Sequence, residues 1–335
     1  MADTNHQLAG GETLAMYFLR RLIISIPLLL VISFFSFGLL HLAPGGPFDR
    51  DRKPASPAVE RNIQRKYHQD EPFLKQYLRY LGVGYDRDAQ GKIHWFKGGL
   101  IRGDFGPSYI YRNHTVNDII AQGLPVSLPL GFMSFGFALG FGIPLGFLTA
   151  VQKGNWVDYT GSFIAILAVC IPGLVLGPVL ILVFAIHFHW FPVALWTSPL
   201  HAVLPIIALG FYFSGRIARL MREGMLNVMQ SEFITTARSK GMSETTLLLK
   251  HAVRIAILPV VSYSGPLLAD LLTGSFVIES IFQIPGLGIP VVNSSLNRDY
   301  PVVVGLVLLY AALLVSLNLV VDLAYMMLDR RVKYE

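Results

Sequence analysis

The sequence predicts an all-α integral membrane protein with six transmembrane helices and a long first loop on the extracytoplasmic side. Three observations carry that reading. Uncharged apolar runs reach the roughly 20 residues that a helix needs to cross about 30 Å of hydrocarbon. Basic residues gather in alternate short loops. A chain of 335 residues that is 53% hydrophobic and only 14% charged, with a mean hydropathy of +0.53, is too apolar for an ordinary soluble domain.

The segments follow in order along the chain. A polar cytoplasmic lead at residues 1–16 precedes a first span at 17–43, whose apolar run over 22–42 is longer than a signal-peptide core. No small-x-small cleavage site follows that run before Pro44, so it reads as a retained helix. Residues 44–125 form an extracytoplasmic loop subdomain with helix-like spacing over 59–81 and aromatic residues able to pack, among them Tyr77, Tyr80, Trp95 and Phe96. The stretch 82–99 reads as a polar hairpin or insertion. Residues 126–327 make a five-helix core. Spans fall at 126–151 and 301–321, two lie within 159–213, and one covers 255–281. A cytoplasmic tail at 328–335 closes the chain.

Orientation follows from cations in short loops. Arg20, Arg21, Lys153, Arg216, Arg219, Arg222, Arg238, Lys240, Lys250, Arg254, Arg330, Arg331 and Lys333 fall on one side, against Arg298 on the other. Both termini are therefore expected in the cytoplasm. The net charge of +6 reflects this topology and gives no reason to expect nucleic acid.

Between two of the spans lies a charged, glycine-hinged segment within residues 222–254. Ser231 before Glu232 suits a helix N-cap, and Arg238 and Lys240 precede Gly241, where cations and a left-handed glycine end a helix. Ser243 suits the next N-cap, with Met242 and Leu247 at the positions of a hydrophobic staple. Phe233, Ile234 and Ala237 are expected on one helical face beside Thr235, Thr236, Arg238 and Lys240. The pattern is helix, hinge, helix, with a face suited to a protein partner.

That segment resembles the EAA loop of ABC-importer permeases in the form used by the oligopeptide, dipeptide and nickel family, a TAR-x-KG core followed by His-Ala and then proline. Here these are Thr236, Ala237, Arg238, Lys240, Gly241, His251, Ala252 and Pro259. Thr235 and Thr236 stand at the consensus Glu and first Ala positions, and Val253-Arg254 at the later Leu-Pro. The resemblance extends through Arg20-Arg21-Leu22, Ile26-Pro27, Pro44-Gly45-Gly46-Pro47, Gly103-Asp104-Phe105-Gly106-Pro107-Ser108 and Leu124-Pro125-Val126-Ser127. It continues in Gly274-Ser275-Phe276-Val277-Ile278-Glu279, Pro285-Gly286-Leu287-Gly288, Asn297-Arg298-Asp299-Tyr300 and Val321-Asp322, and Asp329-Arg330-Arg331 replaces the family's Asp-Pro-Arg. These C-terminal motifs resemble the B-type membrane subunit of oligopeptide permeases.

The resemblance implies a type I importer permease of a bacterial inner membrane. Its partners would be a second homologous permease subunit, two ABC ATPase subunits, an extracytoplasmic substrate-binding protein and the lipid bilayer. ATP and Mg would be bound by the ATPases, with no cofactor in this chain. Phe233, Thr236, Ala237, Arg238, Lys240, Gly241, Met242, Ser243, Glu244 and His251 would couple to the ATPases. The substrate would be an oligopeptide, with dipeptides or nickel chelates as alternatives. The first loop would either receive the binding protein or cover the helix ends.

Ionisable residues inside the spans must face protein or water. Asp270 fits two roles, lining a pathway or pairing with a neighbouring helix, while Glu279 and Asp322 are expected as interfacial anchors. There is no phosphate-binding Gly-x4-Gly-Lys-Ser/Thr loop and no His-Glu-x-x-His motif, so no enzymatic role is expected. The rival reading is an intramembrane metal-dependent hydrolase built on His187, His189 and His201; interfacial packing beside Trp190 and Trp196 explains the same histidines.

Overall fold

The computed structural model describes residues 14–42, 68, 70–87, 92–96, 98–111 and 113–328. Most of the lead, the Pro44-Gly45-Gly46-Pro47 motif, the Asp329-Arg330-Arg331 end and the Asp322 side chain lie outside what is described.

The chain is built from helices. Helix α1 (Leu14–Leu42) carries Arg20 and Arg21 toward its start, is predominantly apolar over Ile23–Leu42 and has Pro27 inside it. Helix α2 (Phe73–Leu81) belongs to the first loop and lies against α1: Tyr77 and Leu81 bury with Phe37, Ser33 Oγ and Tyr77 Oη share a hydrogen bond of 2.7 Å, and His41 meets Gln76 at 3.0 Å. Strands β1 (Tyr85–Arg87) and β2 (Ile93–Trp95) pair antiparallel, so the expected hairpin is present. The Arg79 guanidinium, 4.3 Å from the Phe96 ring, ties that hairpin to α2. The helical spacing seen over 59–81 is realised at its C-terminal end, and its earlier part lies outside the described residues.

Helix α3 (Val116–Val151) begins well before the expected boundary at 126. Thr115 and Asp118 form a reciprocal capping box, with the Asp118 N–H donating to Thr115 Oγ1 at 3.2 Å and the Thr115 N–H to Asp118 Oδ2 at 2.8 Å. Pro125, Pro129 and Pro144 are absorbed inside it. Its 36 residues extend about 54 Å, longer than the hydrocarbon layer. Helices α4 (Trp156–Cys170) and α5 (Gly173–His187, π-helical from Ile181) meet at a bend of 105° around Ile171-Pro172. Helix α6 (Pro199–Met229) follows, then α7 (Glu232–Ser239), α8 (Glu244–Ala256), α9 (Leu258–Ile281), α10 (Gly288–Asn297) and α11 (Tyr300–Leu328).

Among the described residues four helices, α1, α3, α6 and α11, are individually long and apolar enough to cross a membrane, and the bent pairs α4–α5 and α8–α9 raise the number to as many as six. Two of the apolar stretches are broken, one at Pro172 and the other ahead of Pro259, which sits in the first turn of α9 where a missing N–H costs nothing.

The core lies between α3 and α6, which run side by side in the same direction. Leu130, Ile217, Met221 and Met225 are fully buried there. The backbones approach closely because Gly146 faces the Ala218 carbonyl, with Met221 Cβ only 2.7 Å from where its own Cβ would stand. The contacts fix the ends of the bundle. Val116 lies by Gly305, His41 by Tyr300 and Gly123 by Leu287 at one end, while Asp158 meets Arg222 and Gly224 meets Ala256 at the other. Helices α1 and α11 are each 29 residues, about 43 Å, so their free ends point toward the end that carries α7.

Candidate coupling segment and its supports

Helix α7 leaves the end of α6 after Gln230 and Ser231 and is two-sided. Ile234 is fully buried together with Leu247 and Ala252 of α8, while Ala237 and Met242 are half-buried against the same cluster. Phe233, 44% exposed, points outward, with Thr236, Arg238, Lys240, Gly241, Ser243, Glu244 and His251 also exposed. The expected shared face of Phe233, Ile234 and Ala237 is therefore split. Adjacent positions on a helix are rotated about 100° apart, and Ile234 takes the inward side.

The hinge is a Schellman turn. Gly241 has φ +79°, its N–H donates to the Arg238 carbonyl at 3.0 Å, and the Met242 N–H donates to the Ala237 carbonyl at 3.3 Å. Arg238 then reaches across it to Glu244 with two bonds, Nη2 to Oε1 at 2.6 Å and Nε to Oε2 at 3.1 Å. The Arg238 guanidinium holds the Glu244 carboxyl below the usual carboxylate range. Both side chains are about half exposed, so this pair fixes geometry more than it adds stability.

The two caps differ from expectation. The Ser231 hydroxyl donates back to the Val228 carbonyl, and Ser243 Oγ donates to Thr246 Oγ1 at 2.8 Å, so neither caps a backbone N–H. Beyond Thr246 the helix widens to a π-helical stretch, Leu247–Ala252, which carries His251 on its exposed side.

Beneath the segment a bidentate ion pair joins two spans. Arg222 Nε and Nη2 donate to Asp158 Oδ1 and Oδ2 at 2.9 and 3.0 Å, and Asp158 also accepts from the Gly154 N–H at 3.0 Å and Ser162 Oγ at 3.2 Å. Asp158 was not distinguishable in the sequence from any polar residue at a helix start. Arg222 registered only as one of the inside cations.

At the opposite end two buried carboxylates join the other motifs. Glu279, expected as an interfacial anchor, is fully buried and accepts from Ser275 Oγ and from the Gly288 N–H, each at 2.7 Å. The next N–H in that turn, Leu287, donates to Ser127 Oγ at 2.9 Å. The turn needs a backbone N–H that only tertiary structure aims at Glu279, and the sequence does not reveal it. Asp299, also fully buried, accepts from Ser108 Oγ and from the Tyr109 and Ile110 N–H groups at 3.0 and 3.2 Å.

Asp270 is exposed on α9, away from the α7 hinge. Arg216, counted above among loop cations, lies within α6. The histidines are dispersed: His201 Nδ1 meets Ser198 Oγ at 2.9 Å, while His187 lies edge-on to Phe188 with centroids 4.8 Å apart. Among the described residues no three His, Cys, Asp or Glu side chains gather as a metal site.

A bundle of apolar helices with a two-sided helix and hinge fastened to its end defines a membrane transport permease. The chain belongs to the family of binding-protein-dependent transport system inner membrane components, whose pattern it matches over residues 142–334. It is 40% identical over 320 residues to the oligopeptide transport system permease protein OppB of Haemophilus influenzae, covering 95% of this chain and 99% of that one. It is 39% identical over 320 residues to the dipeptide transport system permease protein DppB of Bacillus subtilis, covering 96% and 98%. Two inward-facing crystal forms of the MetNI methionine ABC transporter share the fold. One has a TM-score of 0.51 at 21% identity over 64% of this chain and 97% of that one; the other has 0.54 at 20% over 63% and 97%.

Proposed function

We propose that this chain is the permease subunit of an ATP-driven importer of oligopeptides, forming half of a pathway and coupling it to ATPase subunits. The observation that carries the reading is the two-sided α7. Its inner side is anchored by buried Ile234 and Leu247, and its outer side presents Phe233, Thr236, Arg238 and Lys240 around a fixed turn at Gly241. A partner that pushes on the outer side moves the core of the bundle through the inner one. Similarity to oligopeptide permeases over 95% of the chain supports the substrate class.

In this reading each bent pair counts as one span, giving six. The α7 end faces the cytoplasm with both termini, and the first loop with α2 and the hairpin faces outside, where a substrate-binding protein delivers its cargo. A second homologous permease completes the pathway in a bacterial inner membrane. Two ATPases bind ATP and Mg, and rigid-body rocking of the helices switches access. The chain lines a path and transmits force, with no covalent chemistry of its own.

Mild solubilisation of tagged chain from its native membranes, followed by mass spectrometry, tests the assembly. Recovery with a second permease and ATPases is expected; repeated recovery of the chain alone would overturn the reading.

A further inference from the structure

Helix α1 sets a depth scale for the loop that packs on it. Its apolar span, Ile23–Leu42, has 20 residues and is about 30 Å long, the thickness of the hydrocarbon layer, and Arg20 and Arg21 stand just before it. Leu42 therefore marks one hydrocarbon boundary and Ile23 the other. Phe37, five positions inside Leu42, lies about 7 Å below that boundary. Helix α2 of the first loop packs at this level: the rings of Phe73, Tyr77 and Tyr80 lie 5.5 to 5.7 Å from that of Phe37. Tyr77 Oη reaches deeper, to Ser33 Oγ and to within 3.2 Å of the Leu30 carbonyl. The loop thus places a helix within the about 5–10 Å that an interfacial amphipathic helix sinks into a bilayer.

The sides of α2 match that depth. Contact with α1 uses Phe73, Tyr77 and Leu81. Leu74 and Leu78, one turn apart, continue the same apolar arc beyond α1 and are exposed, Leu74 by 61%. Roughly opposite them on the helix, Gln76 and Arg79 line a cavity of about 240 Å³ shared with His41, Asp104 and Tyr109, so the polar side has its own wet space. The hairpin that follows exposes Tyr85, Ile93 and Trp95 on one face, with the two rings edge-on at 5.6 Å, and such aromatic residues favour a membrane–water boundary. Lys75 borders the leucines. A lysine that can extend to the headgroups beside two exposed leucines fits lipid better than a tight protein interface, from whose core lysine is depleted.

We propose that α2 is an interfacial helix that seats the first loop in the bilayer, with Leu74 and Leu78 among the acyl chains and Tyr85, Ile93 and Trp95 at headgroup level. Only the choice of leaflet, the outer one, rests on the importer reading. The test uses the complete importer with Cys170 replaced, in vesicles of phosphatidylethanolamine and phosphatidylglycerol, carrying a nitroxide on Leu74→Cys, Lys75→Cys or Leu78→Cys in turn. Collision with oxygen, which concentrates in hydrocarbon, is expected to exceed collision with a water-soluble nickel chelate at positions 74 and 78, and the order is expected to reverse at 75. Preference for nickel at 74 and 78 would overturn the inference by placing this face in water. Low collision with both reagents there would overturn it by placing the face against another subunit. The Lys75→Cys variant reads the leaflet separately: in right-side-out membrane vesicles it is expected to react with an impermeant maleimide added outside. Reaction only in inverted vesicles would defeat the topology of the importer reading and leave the seating of α2 to stand on the collision data.

Discussion

The carboxylate of Glu279 accepts the backbone N–H of Gly288 at 2.7 Å, and this bond holds the end of α9 to the start of α10. The turn between them is crowded. A side chain at Gly286 would strike Glu279, and one at Gly288 would place its Cβ 2.6 Å from Phe276 Cα. Glu279→Ala leaves the Gly288 N–H and Ser275 hydroxyl buried without that acceptor, a loss of about 1–3 kcal/mol for each unsatisfied group. Gly288→Ala forces backbone apart at a site with no free space. Both variants are expected to unfold at lower temperature in detergent, as read by fluorescence-detected gel filtration after heating, with Gly288→Ala unaffected in membrane targeting.

The Gly241 hinge gives a prediction about coupling. Proline cannot adopt a φ of +79° and lacks the N–H that Gly241 donates to Arg238, so Gly241→Pro breaks the Schellman turn. Ala237→Trp overfills a half-buried position beside Ile234. Each is expected to reduce peptide uptake by at least about tenfold, some 1.4 kcal/mol, while the chain still inserts in the membrane. Uptake assays paired with immunoblots of membrane fractions check this, and normal uptake would refute the coupling role.

How much of this was legible in the sequence depends on the range of the interactions. The Gly241 turn was readable because its signals, cations followed by glycine, are local to the turn itself. The 82–99 hairpin was readable for the same reason. The start of α3 lies ahead of the expected boundary at 126 because that boundary follows the uncharged apolar run, and the Thr115–Asp118 capping box that begins the helix precedes the run. Pro172 is one of several prolines able to kink a span, and nothing local marks it as the site of the 105° bend. Glu279 and Asp299 stood inside motifs already singled out, yet their partners are fixed only by folding: Ser108 and Asp299 are 191 positions apart. Nothing local marks a carboxylate as the acceptor for such a distant loop.

The Asp158–Arg222 pair binds the start of α4 to the end of α6, directly below α7. Asp158 is 8% exposed and Arg222 31%, so breaking the pair costs less than for a fully buried one, about 1–3 kcal/mol. Asp158→Asn is expected to lower thermal stability, and Arg222→Gln to do the same. The double variant is expected to lose less than the sum of the singles, since they share one interaction. Melting curves of the four proteins measure that coupling.

Glu71 predicts a pH dependence in the first loop. Burial would raise its pKa, but hydrogen bonds from Arg79 at 2.8 Å and Lys75 at 3.1 Å outweigh it and hold the carboxyl below its ordinary 4.5. A depressed folded-state pKa contributes stability that is present above 4.5 and is lost as pH falls below it. Glu71→Gln is expected to reduce the protease resistance of the loop at pH 7 and to flatten its decline toward pH 4. Parallel decline in wild type and variant would contradict this.

The measurement closest to the central claim is site-directed crosslinking of the outer side of α7 to the ATPase in the assembled complex. With Cys170 replaced, a cysteine at Phe233 or Thr236 and a short bifunctional thiol reagent are expected to give a product with an ATPase subunit carrying a matching surface cysteine, in a yield that changes with bound nucleotide. A cysteine at Trp190, at the opposite end of the bundle, is expected to give none. Equal yields from position 190 and from α7, or no ATPase product from α7 in a complex that hydrolyses ATP and transports peptide, would contradict the assignment.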